Sequence, residues 1–194
     1  NFLEKETFRF YKFGDTVYLP KIGTEDWVDY ICGRFEATGK HISAELAGKI
    51  CRAVDNHSSY VQQLAWLVWI HTDETATEQD FEGAYQDIID QNTPLFEKQT
   101  ESLLHIDEFL RAVLEGVHRE FTTRAVLQKY KLGSSANVSI VKRALLKKEL
   151  IEMEKRQVVI PDPVMEEWLR RELGLNAKMG KDGVVYGALT NQPV

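Results

Sequence analysis

The chain is poor in several things, and each shortage narrows what it can be. Among 194 residues there are two cysteines, Cys32 and Cys51, and they form no CxxC pair. A disulfide scaffold and a thiolate metal cage are both excluded, and a reduced, cytoplasmic setting is expected. No apolar run approaches the roughly 20 residues that a membrane-spanning helix needs. The five histidines make no HExxH and sit near no cysteine pair, so no metal site is expected. His71-Thr72-Asp73-Glu74 reads as well as a charged helix end as it does a cation site. No serine stands in a GxSxG elbow. A P-loop wants a glycine, four residues, then Gly-Lys-Ser/Thr, so that backbone amides wrap a phosphate and a hydroxyl reaches magnesium. Met179-Gly180-Lys181-Asp182 fails this pattern, with Leu175 where the first glycine belongs and Asp182 where the hydroxyl does. Nucleophile, base and oxyanion hole cannot be assembled together, and no catalytic residue is assigned.

What is present describes an ordinary globular chain, 43% hydrophobic and 28% charged, long enough for one domain or two small ones. The net charge of −6 hides an uneven distribution. Residues 1–117 hold 21 acidic and 10 basic side chains, whereas residues 118–156 hold 4 acidic and 10 basic. Such a basic island can meet a phosphate backbone, and any single lysine or arginine in it can equally be a solvated helix face.

The island coincides with the most specific pattern in the sequence, Phe121 to Pro161, which reads as a winged helix-turn-helix. Thr122 or Thr123 can cap a short helix with Val126, Leu127 and Tyr130 at helical spacing, and Leu132-Gly133 breaks it. Ser134 or Ser135 caps the next helix, with Val138, Val141, Leu145 and Leu146 as its apolar stripe. Asn137, Ser139, Lys142, Arg143 and Lys147 point the other way, as on a recognition helix. Leu150 to Glu154 and Val158 to Ile160 flank Lys155-Arg156-Gln157 as a two-stranded wing. Asn137 and Arg143 have side chains suited to bidentate base contacts; Lys142, Lys147, Lys155 and Arg156 suit phosphates.

Upstream the periodicity is helical. Phe8 to Leu19 is strand-like but lacks a sheet of its own. Thr24 is expected to cap a helix burying Trp27, Ile31 and Phe35, and Ser43 one burying Leu46, Ala47, Ile50, Cys51 and Val54. Tyr60 to Ile70 is apolar almost all round, which predicts a helix central to a bundle. Thr77 and Asp80 resemble a capping box, and Asn92-Thr93-Pro94 predicts a helix end followed by a new short helix. Phe109, Leu110, Val113 and Val117 predict a helix beneath the winged module, and Asp162-Pro163 the start of a closing one. The fold class expected is mostly α: a helical lid bundle, then a winged helix-turn-helix with a small β wing. The boundaries expected are an orphan strand segment over 1–22, a lid over 23–104, a winged helix over 105–173 and a tail over 174–194. Val184 to Leu189 in that tail is a candidate strand.

These runs support a resemblance. Residues 8–22, Trp27 to Phe35, Gly39 to Ser43, Asn56 to Trp69, Gly116 to Thr123 and Lys131 to Glu152 are similar to the C-terminal part of bacterial AAA-type ATPases related to the archaeal-ATPase family. In that family a P-loop domain precedes a helical lid and a winged helix. The resemblance implies that residues 8–22 are the last strand of the nucleotide domain and that the chain is a fragment, a view the opening Asn1 also suggests. It further implies a missing N-terminal nucleotide-binding domain as partner, ATP and Mg as cofactors of the parent protein, and no ATPase activity of this chain alone. The family's lid sensor falls on Asn56 to Tyr60, which here offers His57 and no arginine. Arg9 is the candidate phosphate-facing arginine. Duplex DNA or a protein partner is the expected target of the winged helix. A free-standing winged-helix DNA-binding regulator and a protein-interaction scaffold are the alternatives.

Overall fold

The structure, a computed structural model, describes residues 20–101 and 106–176. Four helices come first: α1 (Thr24–Glu36), α2 (Ala44–Ala53), α3 (Ser58–His71) and α4 (Glu78–Thr100). They are followed by α5 (Ile106–Leu114), α6 (Arg124–Lys129), α7 (Ser135–Lys147), the strands β1 (Glu152–Glu154) and β2 (Gln157–Val159), and α8 (Pro163–Glu172). The fold is mostly helical with one small antiparallel sheet, in register Glu152↔Val159, Met153↔Val158 and Glu154↔Gln157. The expected strand segments in 8–19 and 184–189, Arg9, and the stretch around Leu103 lie outside the described residues.

Local chemistry explains most of the boundaries. Ser43 accepts the Leu46 amide at the start of α2, and Thr77 with Asp80 forms a complete capping box on α4, so orphan first-turn amides are satisfied in both. At α1 the cap is Gly23, not Thr24. The Thr24 hydroxyl is instead engaged with the Asn56 side chain, at 3.0–3.2 Å. At the other end of the same pair of helices, the Trp69 indole N–H donates to the Thr38 hydroxyl at 2.9 Å. These two links fix α1 and α3 parallel and level with one another.

Helix α3 departs from the sequence expectation. Val61, Leu64, Leu67 and Val68 are buried, but Trp66 is 55% exposed and Ile70 is exposed as well. An all-round apolar helix belongs in the middle of a bundle only if neighbours surround it. Here α1, α2 and α4 pack on α3, and among the described residues nothing covers its outer face. Its C-terminus is closed by Lys40, whose ammonium donates to the Trp69 and Thr72 carbonyls and lies 4.3 Å from the Trp69 ring centroid. A cation at the negative end of a helix is where the dipole favours one.

Helix α4 also departs from expectation, because Pro94 lies inside it and does not end it. Proline removes a donor and crowds the preceding turn. The carbonyls of Ile88 and Ile89 just upstream accept from Asn92 Nδ2 at 2.7 Å and Thr93 Oγ1 at 3.0 Å. The two polar side chains that read as a turn signal are therefore hydrogen-bonded back along the helix. The same helix packs α3 near its start and α8 toward its end, through contacts such as Phe96 with Trp168, ring centroids 5.6 Å apart.

The first four helices and the following module share one apolar core and several polar ties, among them Lys148 to the Gln99 carbonyl and Arg171 to Asp90. The Tyr60 hydroxyl donates to Asp162 Oδ2 at 2.7 Å, while Asp162 Oδ1 accepts the Val164 and Met165 amides at 2.9 Å each, as the cap of α8. One carboxylate thus holds the start of α8 and the first turn of α3 together. Arg111 reaches the Leu173 carbonyl and Arg170 the Leu114 carbonyl, which fixes α5 against the end of α8.

Candidate nucleic-acid interface

Helix α6 is short because Leu132-Gly133 stops it: Lys131 and Gly133 both have positive φ. The reversal lets Ser134 cap α7 by accepting the Asn137 amide. Val138 and Leu145 bury one side of α7, and α5 packs against that side. Leu146, read as part of the stripe, is 36% exposed; at about 100° per residue it stands on the shoulder of the helix, beyond the reach of the core.

The same rotation sorts the candidate contact residues. Ser139, Arg143 and Lys147 stand on the outward face of α7 with Ala136 and Ile140, and all are exposed. Lys142 lies about 100° round from Arg143 and is half-buried. Asn137 is on the opposite shoulder, and its amide nitrogen leans over Gly133, 2.8 Å from where a Cβ on that glycine would stand. Of the two candidate base readers, Arg143 is on the outward face and Asn137 lies against the helix-turn-helix bend. No acidic side chain occurs in α7, and Lys142, Arg143 and Lys147 make no ion pair among the described residues.

The wing supplies the other two cations. Its hairpin has a two-residue turn, Lys155-Arg156, with φ of 47° and 67°. Both residues are left-handed, as the turn that matches strand twist requires, although neither is the glycine, asparagine or aspartate that occupies such turns at least cost. The turn is clamped from outside: Arg119 Nη2 donates to the Lys155 carbonyl at 3.0 Å. Next to it, the Val158 amide donates to the His118 carbonyl at 2.9 Å, and His118 Nδ1 stands 3.0 Å from the Val158 carbonyl. His118 and Arg119 thus border β2 as a short extra edge. Sequence reading counted Arg119 in the basic island but gave it no role, because its contact spans 36 residues and no local pattern marks it.

The neighbourhood is not uniformly positive. Glu115 is paired with Lys129 at 3.0 Å and also accepts from the Tyr130 hydroxyl at 3.0 Å. Those bonds, Lys129 first, hold the Glu115 carboxyl below its ordinary value. They remove Lys129 from the free cations, whereas Arg143 and Lys147 on the outward face of α7 and Lys155 and Arg156 at the wing tip are unpaired among the described residues.

Matching against protein families assigns residues 84–171 to one described as a probable winged helix domain. That span runs from within α4 to the end of α8 and includes α7 and the wing. The likeness to that family is one of fold, a helix-turn-helix followed by a two-stranded wing. Among solved structures, the fold is similar to that of a Walker-type ATPase of Pyrococcus abyssi, with 16% sequence identity and a TM-score of 0.58. The likeness covers 77% of this chain and 42% of that one, so the chain spans less than half the length of the ATPase it resembles. No curated protein matches the sequence.

The position read as a nucleotide sensor lies elsewhere. His57 is the cap residue of α3, without a side-chain cap bond. Its ring is exposed, 4.9 Å from that of Tyr60, with Nδ1 3.1 Å from the Ser59 hydroxyl. Its bend is strained, with Asp55 and Asn56 both at positive φ, and Asn56 is occupied by Thr24. Among the described residues no group of three or more histidine, cysteine, aspartate or glutamate side chains is arranged to hold a metal. His71, from the His-Thr-Asp-Glu run, is paired with Asp87 at 2.8 Å. Among the same residues no helix is long and apolar enough to cross a membrane.

Proposed function

We propose that this chain is the helical and winged-helix part of a Walker-type ATPase, and that the winged helix contacts duplex DNA through the outward face of α7 and the tip of the wing. The observation that carries the reading is the set of unpaired cations, Arg143 and Lys147 on one face of α7 with Lys155 and Arg156 on the clamped hairpin that follows it. Cations without protein partners are the form in which a phosphate-binding surface stands before its ligand arrives. The winged-helix match and the likeness to a Walker-type ATPase support the wider context, in which ATP and Mg act on a domain preceding this one. The first four helices then pass a change of nucleotide state to the winged helix through α4 and the Tyr60–Asp162 tie.

Fluorescence anisotropy on a labelled duplex tests the DNA contact. Three to five neutralised phosphates predict a slope of log affinity against log salt of roughly −3 to −4.5. Replacing Lys147, Lys155 and Arg156 together by alanine is expected to flatten that slope by about 3. No binding at about 50 mM salt, or a slope unchanged in the triple variant, refutes the reading in favour of protein docking. For the wider context, the complete open reading frame is expected to carry GxxxxGK[ST] ahead of this segment, and the segment alone is expected to turn over no ATP.

A further inference from the structure

Ile140 is the most exposed of the large hydrophobic side chains in the described residues, at 63%. It stands on the outward face of α7 just ahead of the cations, one turn from Ala136 on one side and from Arg143 and Ala144 on the other, with Lys147 two turns on. A solvated helix surface gains nothing from a β-branched apolar residue there, and lysine, glutamate or alanine would favour the helix more. Phosphates offer Ile140 nothing either. The major groove does: each A·T pair presents there a thymine methyl group, the apolar mark by which side chains of this kind tell it from the other pairs.

We infer that Ile140 is a specificity-determining residue that reads a thymine methyl in the major groove, next to a guanine taken by Arg143. The occupant follows from charge: the helix carries three basic and no acidic side chains, so an apolar contact beside cations that are unpaired among the described residues fits a duplex. Ala136 and Ser139, small and on the same face, let the helix approach the base edges closely. The inference rests on the DNA contact proposed above and adds to it a preference the phosphate-binding cations cannot supply.

The test uses a duplex pool enriched by selection on the whole chain, then resynthesised with deoxyuridine in place of thymidine, which deletes the methyl and leaves every hydrogen-bonding group. Loss of one buried methyl contact predicts about fourfold weaker binding. In Ile140→Ser the two pools are expected to bind equally, with an unchanged salt slope and an unchanged melting temperature. Equal binding of both pools by the unsubstituted protein overturns the inference while the DNA contact stands. Absence of binding to either pool overturns both. If Ile140→Ser retains the fourfold discrimination, or dissolves a self-associated form in light scattering without affecting discrimination, Ile140 belongs to a protein contact and the inference fails.

Discussion

Leu64 and Trp66 stand two residues apart on α3 and face opposite environments, which makes them a controlled comparison. Leu64 has no exposed surface and touches the core shared by α2, α3 and α4. Truncation to alanine leaves a cavity that a helix held on three sides cannot collapse, for a loss of about 3 kcal/mol. For a chain of this size that corresponds to about 6–12 °C in melting temperature and about 1–1.5 M in urea midpoint. Trp66 is the larger side chain and, by residue type alone, should cost more. With 55% of its surface in solvent most of its area never leaves water, and alanine is the better helix former. Trp66→Ala is expected to lose about 1 kcal/mol or less. Urea melts of both variants read the difference, and acrylamide quenching should lose its most accessible tryptophan component in Trp66→Phe. A Trp66→Ala cost equal to or above that of Leu64→Ala would mean that something covers the outer face of α3 and would refute the account of this helix.

The tie at the head of α8 gives a second expectation. Tyr60→Phe should cost about 1.5 kcal/mol and Asp162→Ala about 3, since the latter also loses the cap; a double-mutant cycle with no coupling between them would show that the hydrogen bond holds nothing. Glu115 gives a pH dependence. Its carboxyl lies below the ordinary 4.5 because Lys129 and Tyr130 hold it charged, so its stabilisation is complete above that value and is lost as pH falls through the depressed one. Denaturation of Glu115→Gln and of the unsubstituted chain should therefore differ at pH 6 and converge as pH falls below the ordinary carboxylate range, and a constant gap would contradict the assignment. Burial pushes the Cys51 thiol up to about 11 and also raises that of Cys32. A disulfide reagent at pH 8 should leave Cys51 unmodified until the protein unfolds, and prompt reaction at both sites would argue against a tight α1–α2 interface.

The parts of this fold legible in the sequence are those that local chemistry decides. Ser43, Thr77 with Asp80, Ser134 and Asp162 were readable as caps because each satisfies amides within its own helix. The wing was readable from the strands around it, although Gln157, expected in the turn, is the first residue of β2. Misreadings arose where a side chain that suits a cap or turn took another partner, distant or local. Thr24 looks like a cap until Asn56, 32 residues on, claims its hydroxyl. Asn92-Thr93-Pro94 looks like a break until the side chains bond back to Ile88 and Ile89. The periodicity of α3 carries no direction because apolar residues occur all round it, and only its neighbours decide which of them face solvent. In the candidate interface, residue type identified the cations, and backbone geometry alone separated Arg143 from Lys142 and turned Asn137 toward Gly133.

Helix α4 is also a lever. Its 23 residues extend for about 34 Å, with α3 against it between Gly83 and Gln91 and α8 between Asp90 and Phe96. A tilt of about 10° imposed at its first turn carries the far end through about 6 Å, a distance approaching two base-pair steps of ~3.4 Å. In the DNA contact proposed above, a rotation of that size would shift the winged helix by a distance on the scale of the duplex.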